Sequence, residues 1–169
     1  KDAVAVSTGT SALALAMQTH GIKPDDEVLV PTFSFVATAN AVRYVGAKPV
    51  FVDVEPETFN IDLKRLKGSI TKKTKAIVPV HLYGLPVHMD ELQTFADERN
   101  LLIIEDACQA HGAMHKGKKI GSFSTSCFSF YATKNMNCGE GGMITFQDEK
   151  LADKARALRN HGSIEKYIH

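Results

Sequence analysis

The sequence predicts an α/β layered domain on a mainly parallel sheet, and three observations carry that expectation. Short apolar runs alternate with amphipathic stretches along most of the 169 residues, the rhythm of strands separated by covering helices. The run at 101–104, Leu-Leu-Ile-Ile, is apolar throughout, as expected of a strand buried on both faces. The first two amphipathic stretches close on Gly21 and Gly46, the usual stop signal of a helix.

In order, residues 4–6 read as a short strand and 10–20 as a helix with Leu13, Leu15 and Met17 apolar. Residues 27–30 make a second strand closed by Pro31, 34–45 a second helix, and 49–54 a third strand rich in β-branched residues. Asp62 caps a short helix to about residue 69; then come a strand at 76–80, a helix at 89–99 and the apolar strand at 101–104. After Gly112 the rhythm changes, with strands at 127–130 and 143–146 before a last helix at 150–160. No linker, internal repeat or low-complexity stretch interrupts residues 1–169, which therefore read as one domain. The chain starts directly on a strand and stops in an unfinished polar stretch at 162–169, which points to a piece of a longer protein.

Composition narrows the function. With 44% hydrophobic and 23% charged residues the chain is an ordinary soluble globular sequence. Lys plus Arg number 20 against 19 Asp plus Glu, so no basic excess suggests a nucleic-acid or membrane surface. No apolar run approaches the roughly 18 to 20 residues of a membrane span and no signal peptide opens the chain, so a cytoplasmic location is expected. Cys108, Cys127 and Cys138 are odd in number and lack CxxC spacing, which suits reduced thiols.

In a parallel sheet, ligands sit beyond the carboxyl ends of the strands, so the residues there carry the functional reading. After the first strand comes Ser7-Thr8-Gly9-Thr10-Ser11, small residues opening a helix: a phosphate cradle or a plain N-cap. It is neither a GxGxxG fingerprint nor a Walker loop. After the second strand, Pro31-Thr32-Phe33-Ser34-Phe35 places rings that either join the core or stack on a flat ligand. Asp106 follows the 101–104 strand, either capping a turn or pairing with a buried cation. Lys134 follows a short apolar run and precedes Gly139, Gly141 and Gly142, so it is a turn lysine or an amine set into a pocket. Together, a phosphate cradle, a stacking ring, a carboxylate and a pocket lysine are what a pyridoxal phosphate site requires.

The chain resembles the fold-type I pyridoxal-phosphate aminotransferases, and within them the DegT/StrS-type nucleotide-sugar aminotransferases. The resemblance runs from Ala3 to Gly162 through AVAVSTGTSAL, VPTFSFVATANAV, GAKPVFVDVEPETFNID, IVPVHLYG, IEDACQAHGA, GSFSTSCFSFYATKN, GEGGMIT and LRNHG. It implies the three-layer α/β/α large domain of those enzymes over residues 1–169, without the N-terminal segment and the C-terminal small domain. It also implies pyridoxal 5'-phosphate as cofactor, an amino donor such as glutamate, a nucleotide keto-sugar acceptor and a homodimer. Lys134 matches the lysine that anchors the cofactor, and Asp106 the aspartate that bonds the pyridinium nitrogen. Thr10 and Ser11 match the positions whose backbone amides hold the phosphate, and Ser129 the hydroxyl that supports it. Phe35 matches the ring over the cofactor face and Gln109 a residue beside the phenolic oxygen, while His81 lies in a family motif without an assigned role.

Three rival readings stand beside this one. Related dehydratases replace the lysine with histidine, which Lys134 opposes; some relatives are proposed regulators that bind the cofactor without catalysis. A metal site at His111 and His115 is the third, opposed by the intervening Gly112-Ala113 and by the missing glutamate of an HExxH pattern.

Overall fold

A computed structural model of the chain describes residues 2–163. Lys1 and residues 164–169, the end of the polar stretch noted above, lie outside the described residues. In chain order the elements are β1 (Asp2–Val6), α1 (Gly9–Thr19), β2 (Glu27–Pro31), α2 (Ala37–Tyr44), β3 (Lys48–Val52), α3 (Leu63–Ser69) and β4 (Thr74–Ile77). There follow a single 3-10 turn (Leu82–Gly84), α4 (Met89–Asp97), β5 (Leu102–Asp106), β6 (Met114–His115), β7 (Lys118–Lys119), β8 (Thr125–Ser129), β9 (Gly142–Phe146) and α5 (Glu149–Arg159).

Seven strands form one sheet in the order β1-β9-β8-β5-β4-β2-β3, with β6 and β7 as a separate hairpin. The pairs β2/β3, β2/β4, β4/β5 and β5/β8 are parallel, whereas β9 runs against both β8 and β1. The expected mainly parallel sheet is thus present, with β9 its one reversed strand. Side chains alternate across it as the pleat demands. Val28, Val30, Ala76, Val78 and Ile104 join α1, α2 and α5 in one core, while Leu29, Ile77 and Ile103 join α3 and α4 in the other. Two helical layers therefore sandwich the sheet. Leu13, Met17, Leu66 and Leu92 are fully buried, each contributing about 1.5 to 3 kcal/mol by leaving water.

Several expected boundaries move for physical reasons. The apolar strand extends through Glu105 and Asp106, because both carboxylates find buried donors. The strand expected at 76–80 runs instead over Thr74–Ile77, since Pro79 has no N–H for the ladder; Val80 rejoins as an isolated bridge to Asp106. The second helix starts at Ala37, not at residue 34, because the Ser34 hydroxyl meets the Thr38 side chain at 2.8 Å and caps no backbone N–H. Asp62 does cap α3, accepting the Lys64 N–H at 2.9 Å.

Candidate active site

The carboxyl ends of β1, β2, β5 and β8 open on one cleft of about 410 Å³. Thr8 to Thr10 come from the β1–α1 junction, Ser34 and Phe35 follow β2, Cys108 and Gln109 follow β5, and Tyr131 to Lys134 follow β8. Since β9 is reversed, its amino end reaches the same edge and brings Glu140.

Asp106 ends β5 and is 5% exposed. Its Oδ2 accepts the Thr38 hydroxyl at 2.8 Å, and its Oδ1 accepts the Cys108 N–H at 3.2 Å. The turn-cap reading and the pocket reading therefore hold together: one oxygen organises the turn, and the carboxylate still lines the cleft. Main-chain bonds from Asp106 N–H to the Pro79 carbonyl, 2.9 Å, and from His81 N–H to the Asp106 carbonyl, 3.1 Å, fix its backbone on the β4 side. Beneath it the Cys108 thiol is pushed far up, first by burial and then by the charge of Asp106, so it stays an inert neutral thiol.

One end of the cleft is the N-terminus of α1. Thr8 is its N-cap, accepting the Ser11 N–H at 3.0 Å. No acidic side chain stands in the first turn, so the positive end of the helix is left for an external anion. Thr10 lines the cleft. Ser11 is differently placed: its N–H goes to Thr8, and its hydroxyl meets Thr8 Oγ1 at 2.6 Å and Ser7 Oγ at 3.0 Å. Two glycines let these segments close up. A Cβ on Gly9 would stand 2.7 Å from that of Ser129, and one on Gly142 would collide with the Thr8 carbonyl. The GEGG segment thus brings β9 against the α1 cap.

Lys134 sits on an excursion whose neck is closed by two bonds, Phe130 N–H to the Gly141 carbonyl at 2.8 Å and Cys138 N–H to the Phe130 carbonyl at 3.0 Å. Its own N–H donates to the Tyr131 carbonyl at 2.9 Å, while its amine lines the cleft with no side-chain acceptor among the described residues. Ser129, at the foot of the excursion, accepts the Tyr131 N–H at 3.3 Å and faces the cleft. Phe35 stands at the mouth with 67% of its surface exposed. Gln109 accepts the Tyr83 N–H on Oε1 at 2.8 Å and lines the cleft, and its Nε2 donor has no partner among the described residues.

The structure therefore brings Lys134, Asp106, Thr10, Phe35, Gln109 and Ser129 to one cleft, and leaves Ser11 in the cap beside it. Sequence reasoning missed Thr38, Ser34 and Tyr131. Only the Ser34 to Thr38 spacing, one helical turn, was a signal, and nothing local paired it with a residue 68 positions away. His111 and His115 have separate partners: His111 packs on Phe128 and Phe130, 5.5 Å away, and His115 bonds Asp90. Among the described residues no group of three His, Cys, Asp or Glu could hold a metal ion. Among them, too, no helix is long and apolar enough to cross a membrane.

A model of the DegT/DnrJ/EryC1/StrS aminotransferase family matches residues 1–169. The chain belongs to this family. Within it, the chain is 51% identical over 163 residues to a GDP-perosamine synthase of Caulobacter vibrioides, covering 96% of this chain and 44% of the relative. It is 46% identical over 171 residues to a "pleiotropic regulatory protein" of Geobacillus stearothermophilus, covering 100% of this chain and 46% of that one. Among solved structures, Streptomyces venezuelae DesV in complex with a ketimine intermediate superposes with a TM-score of 0.98 at 45% identity, over 100% of this chain and 46% of DesV. The chain thus spans about half the length of the curated relatives it matches.

Proposed function

We propose that this chain is the cofactor-binding large domain of a pyridoxal-phosphate-dependent aminotransferase that moves an amino group from an amino acid, glutamate, to a nucleotide-linked keto-sugar. The observation that carries the reading is the convergence of the Lys134 amine and the buried Asp106 carboxylate on one cleft beside the bare N-terminus of α1. The residues fit the cofactor by their chemistry: an amine without an internal partner, an acceptor for a ring N–H, backbone donors for a dianion and a free amide donor on Gln109. When bound, pyridoxal phosphate supplies an electron sink for the electrons released at the amino acid Cα.

The chain's own groups then have distinct tasks. Lys134 Nζ would hold the aldehyde carbon and would move a proton at the amino acid Cα as general base and acid. Asp106 would hold a proton on the ring nitrogen and so would stabilise charge where it develops. The Gly9 and Thr10 N–H groups at the α1 terminus and the Ser129 hydroxyl would hold the phosphate, and Phe35 would offer its ring to the flat face of the cofactor.

We place the protein in the cytoplasm as a homodimer. Its three cysteines are unpaired, in keeping with a reducing compartment. Phe35 and Tyr131, both lining the cleft, are 67% and 46% exposed, an apolar edge suited to a second copy that closes the site. Similarity to a protein named as a regulator favours one alternative, cofactor binding without turnover. Incubating the full-length protein with pyridoxal phosphate, glutamate and a panel of nucleotide keto-sugars decides between them. Formation of amino-sugar and 2-oxoglutarate is expected, and cofactor binding with no turnover on any sugar would overturn the enzyme reading.

A further inference from the structure

Between His81 and Val87 the chain makes an exposed turn in which every N–H has a partner. Leu82 donates to Asn60 Oδ1 at 3.2 Å, Tyr83 to Gln109 Oε1 at 2.8 Å and Val87 to His81 Nδ1 at 3.1 Å. Gly84 donates to the His81 carbonyl at 3.3 Å and Leu85 to the Leu82 carbonyl at 2.9 Å, while Pro86 has no N–H to give. Asn60 Nδ2 adds a bond to the Leu85 carbonyl at 3.0 Å. Surface turns usually leave such groups to water; here three side chains hold them, Asn60 and Gln109 from two other segments and His81 at the start of the turn itself.

The turn also holds Tyr83 at φ 53°, a region unfavourable for a tyrosine, although 75% of the residue is exposed and no packing of the ring explains it. The explanation lies at the other end of its hydrogen bond. A carboxamide can present either end to a ligand, and the Tyr83 N–H takes the oxygen of Gln109, so the Nε2 donor is the end left for the cleft.

His81 secures this arrangement from below. It is 0% exposed, and because Nδ1 accepts from Val87, its ring proton is on Nε2, donated to Glu105 Oε2 at 3.0 Å. Glu105 is itself fixed by the Ser124 N–H and hydroxyl, both at 2.9 Å, and by the Ser126 hydroxyl at 2.7 Å. A buried pair of this kind stabilises a fold no better than an apolar pair of the same shape, so its geometry is what it contributes.

We propose that His81 is a positioning residue for the cofactor site: anchored on Glu105, it holds the 82–87 turn so that Tyr83 keeps the Gln109 donor directed into the cleft. The inference rests on the aminotransferase reading above. It is tested in the full-length protein by pyridoxal phosphate titration and by hydrogen exchange of the 82–87 amides without cofactor. His81→Leu should expose the Tyr83 and Val87 amides to exchange and weaken cofactor binding about tenfold, the effect of losing an oriented hydrogen bond. His81→Asn, whose Oδ1 can still accept the Val87 N–H, should stay within about threefold of wild type. In a Gln109→Ala background, His81→Leu should add less than about twofold, since the residue through which it acts is gone.

Glu105→Gln serves as a second variant should His81→Leu not fold. With its oxygen kept by the serine donors, the new amide would face His81 Nε2 as a donor, push the ring proton to Nδ1 and so release Val87. Equal losses with and without Gln109, or His81→Asn as damaging as His81→Leu, would overturn the positioning role alone. A wild-type protein that fails to bind pyridoxal phosphate would overturn the aminotransferase reading and this inference with it.

Discussion

Glu105 and Asp106 are neighbours in β5, both buried, and the pleat sends them to opposite faces of the sheet. On the back face Glu105 receives four donors: three on Oε1 from Ser124 and Ser126, and the His81 ring on Oε2. On the cleft face, among the described residues, Asp106 receives the Thr38 hydroxyl and the Cys108 N–H, one on each oxygen, with the Cys108 thiol as a weaker third neighbour. A carboxylate has about four lone-pair sites, so Glu105 is saturated while Asp106 keeps acceptor capacity facing an open cleft. Burial and charge are alike in the two residues. The unfilled capacity is what distinguishes a group that meets a ligand from one that holds the scaffold.

The strongest way to test that division is to remove the cleft group with the fewest internal bonds. Lys134→Ala in the full-length protein should lower turnover by roughly 10³-fold or more and abolish the visible band of lysine-anchored cofactor. Stability should change by less than about 1 kcal/mol, because the amine has no side-chain acceptor among the described residues. A borohydride-reducible adduct persisting in the variant would place the anchor on another lysine.

A crossed pair of substitutions follows. Glu105→Ala should destabilise the fold by about 3 to 5 kcal/mol, since His81, Ser124 and Ser126 lose a buried partner. Asp106→Asn keeps the shape and should cost little stability, yet slow turnover roughly 10² to 10³-fold by removing the charge that stabilises the ring proton. Denaturant melts and steady-state rates on both variants give the readout. If Asp106→Asn were the more destabilising and Glu105→Ala the less, the division between scaffold and site would be wrong.

The layered fold was legible because β2, β4 and β5 are short apolar runs between helices, a pattern that local sequence carries in full. Asp106 and Lys134 were visible as chemistry-bearing residues at strand ends, and the family resemblance assigned them roles. Glu105 was not singled out, because its four donors come from residues 19 to 24 positions away along the chain and no local pattern marks them. Thr38 was hidden for the same reason. The hairpin of β6 and β7 was missed because only its turn residues mark it, Lys116 at φ 47° and Gly117 at φ 79°.

Acid should remove the contribution of the buried histidines first and that of Glu105 second. On the α1 side, His20 bonds Thr125 at 2.8 Å, and its pKa lies below the ordinary 6.5 because of burial first and the Lys154 charge second. His111 is lowered as well, again mainly by burial, with the charge of Lys134 acting in the same direction. On the back face, burial alone would raise Glu105, but the His81 contact and the Ser126 and Ser124 hydroxyls outweigh it and hold the group below its ordinary 4.5. For each group the folded state binds a proton less readily than the unfolded chain, so its contribution is complete above the unfolded pKa and is lost as pH falls towards the folded one. The melting temperature should therefore start to fall below about pH 6.5 through the histidines, and again below about pH 4.5 through Glu105, by roughly 2 to 5 °C at each step. His20→Gln, which can keep the Thr125 bond, should shrink the first step without abolishing it, because His111 remains. Glu105→Gln should shrink the second step without abolishing it, because Glu27 and Asp90 are also held low by their hydrogen bonds, while lowering the melting temperature at neutral pH, where wild-type Glu105 contributes in full. Melting scans between about pH 2 and 8 on the three proteins check the order, and a low-pH step unchanged by Glu105→Gln would mean that the back-face carboxylate contributes nothing to acid sensitivity.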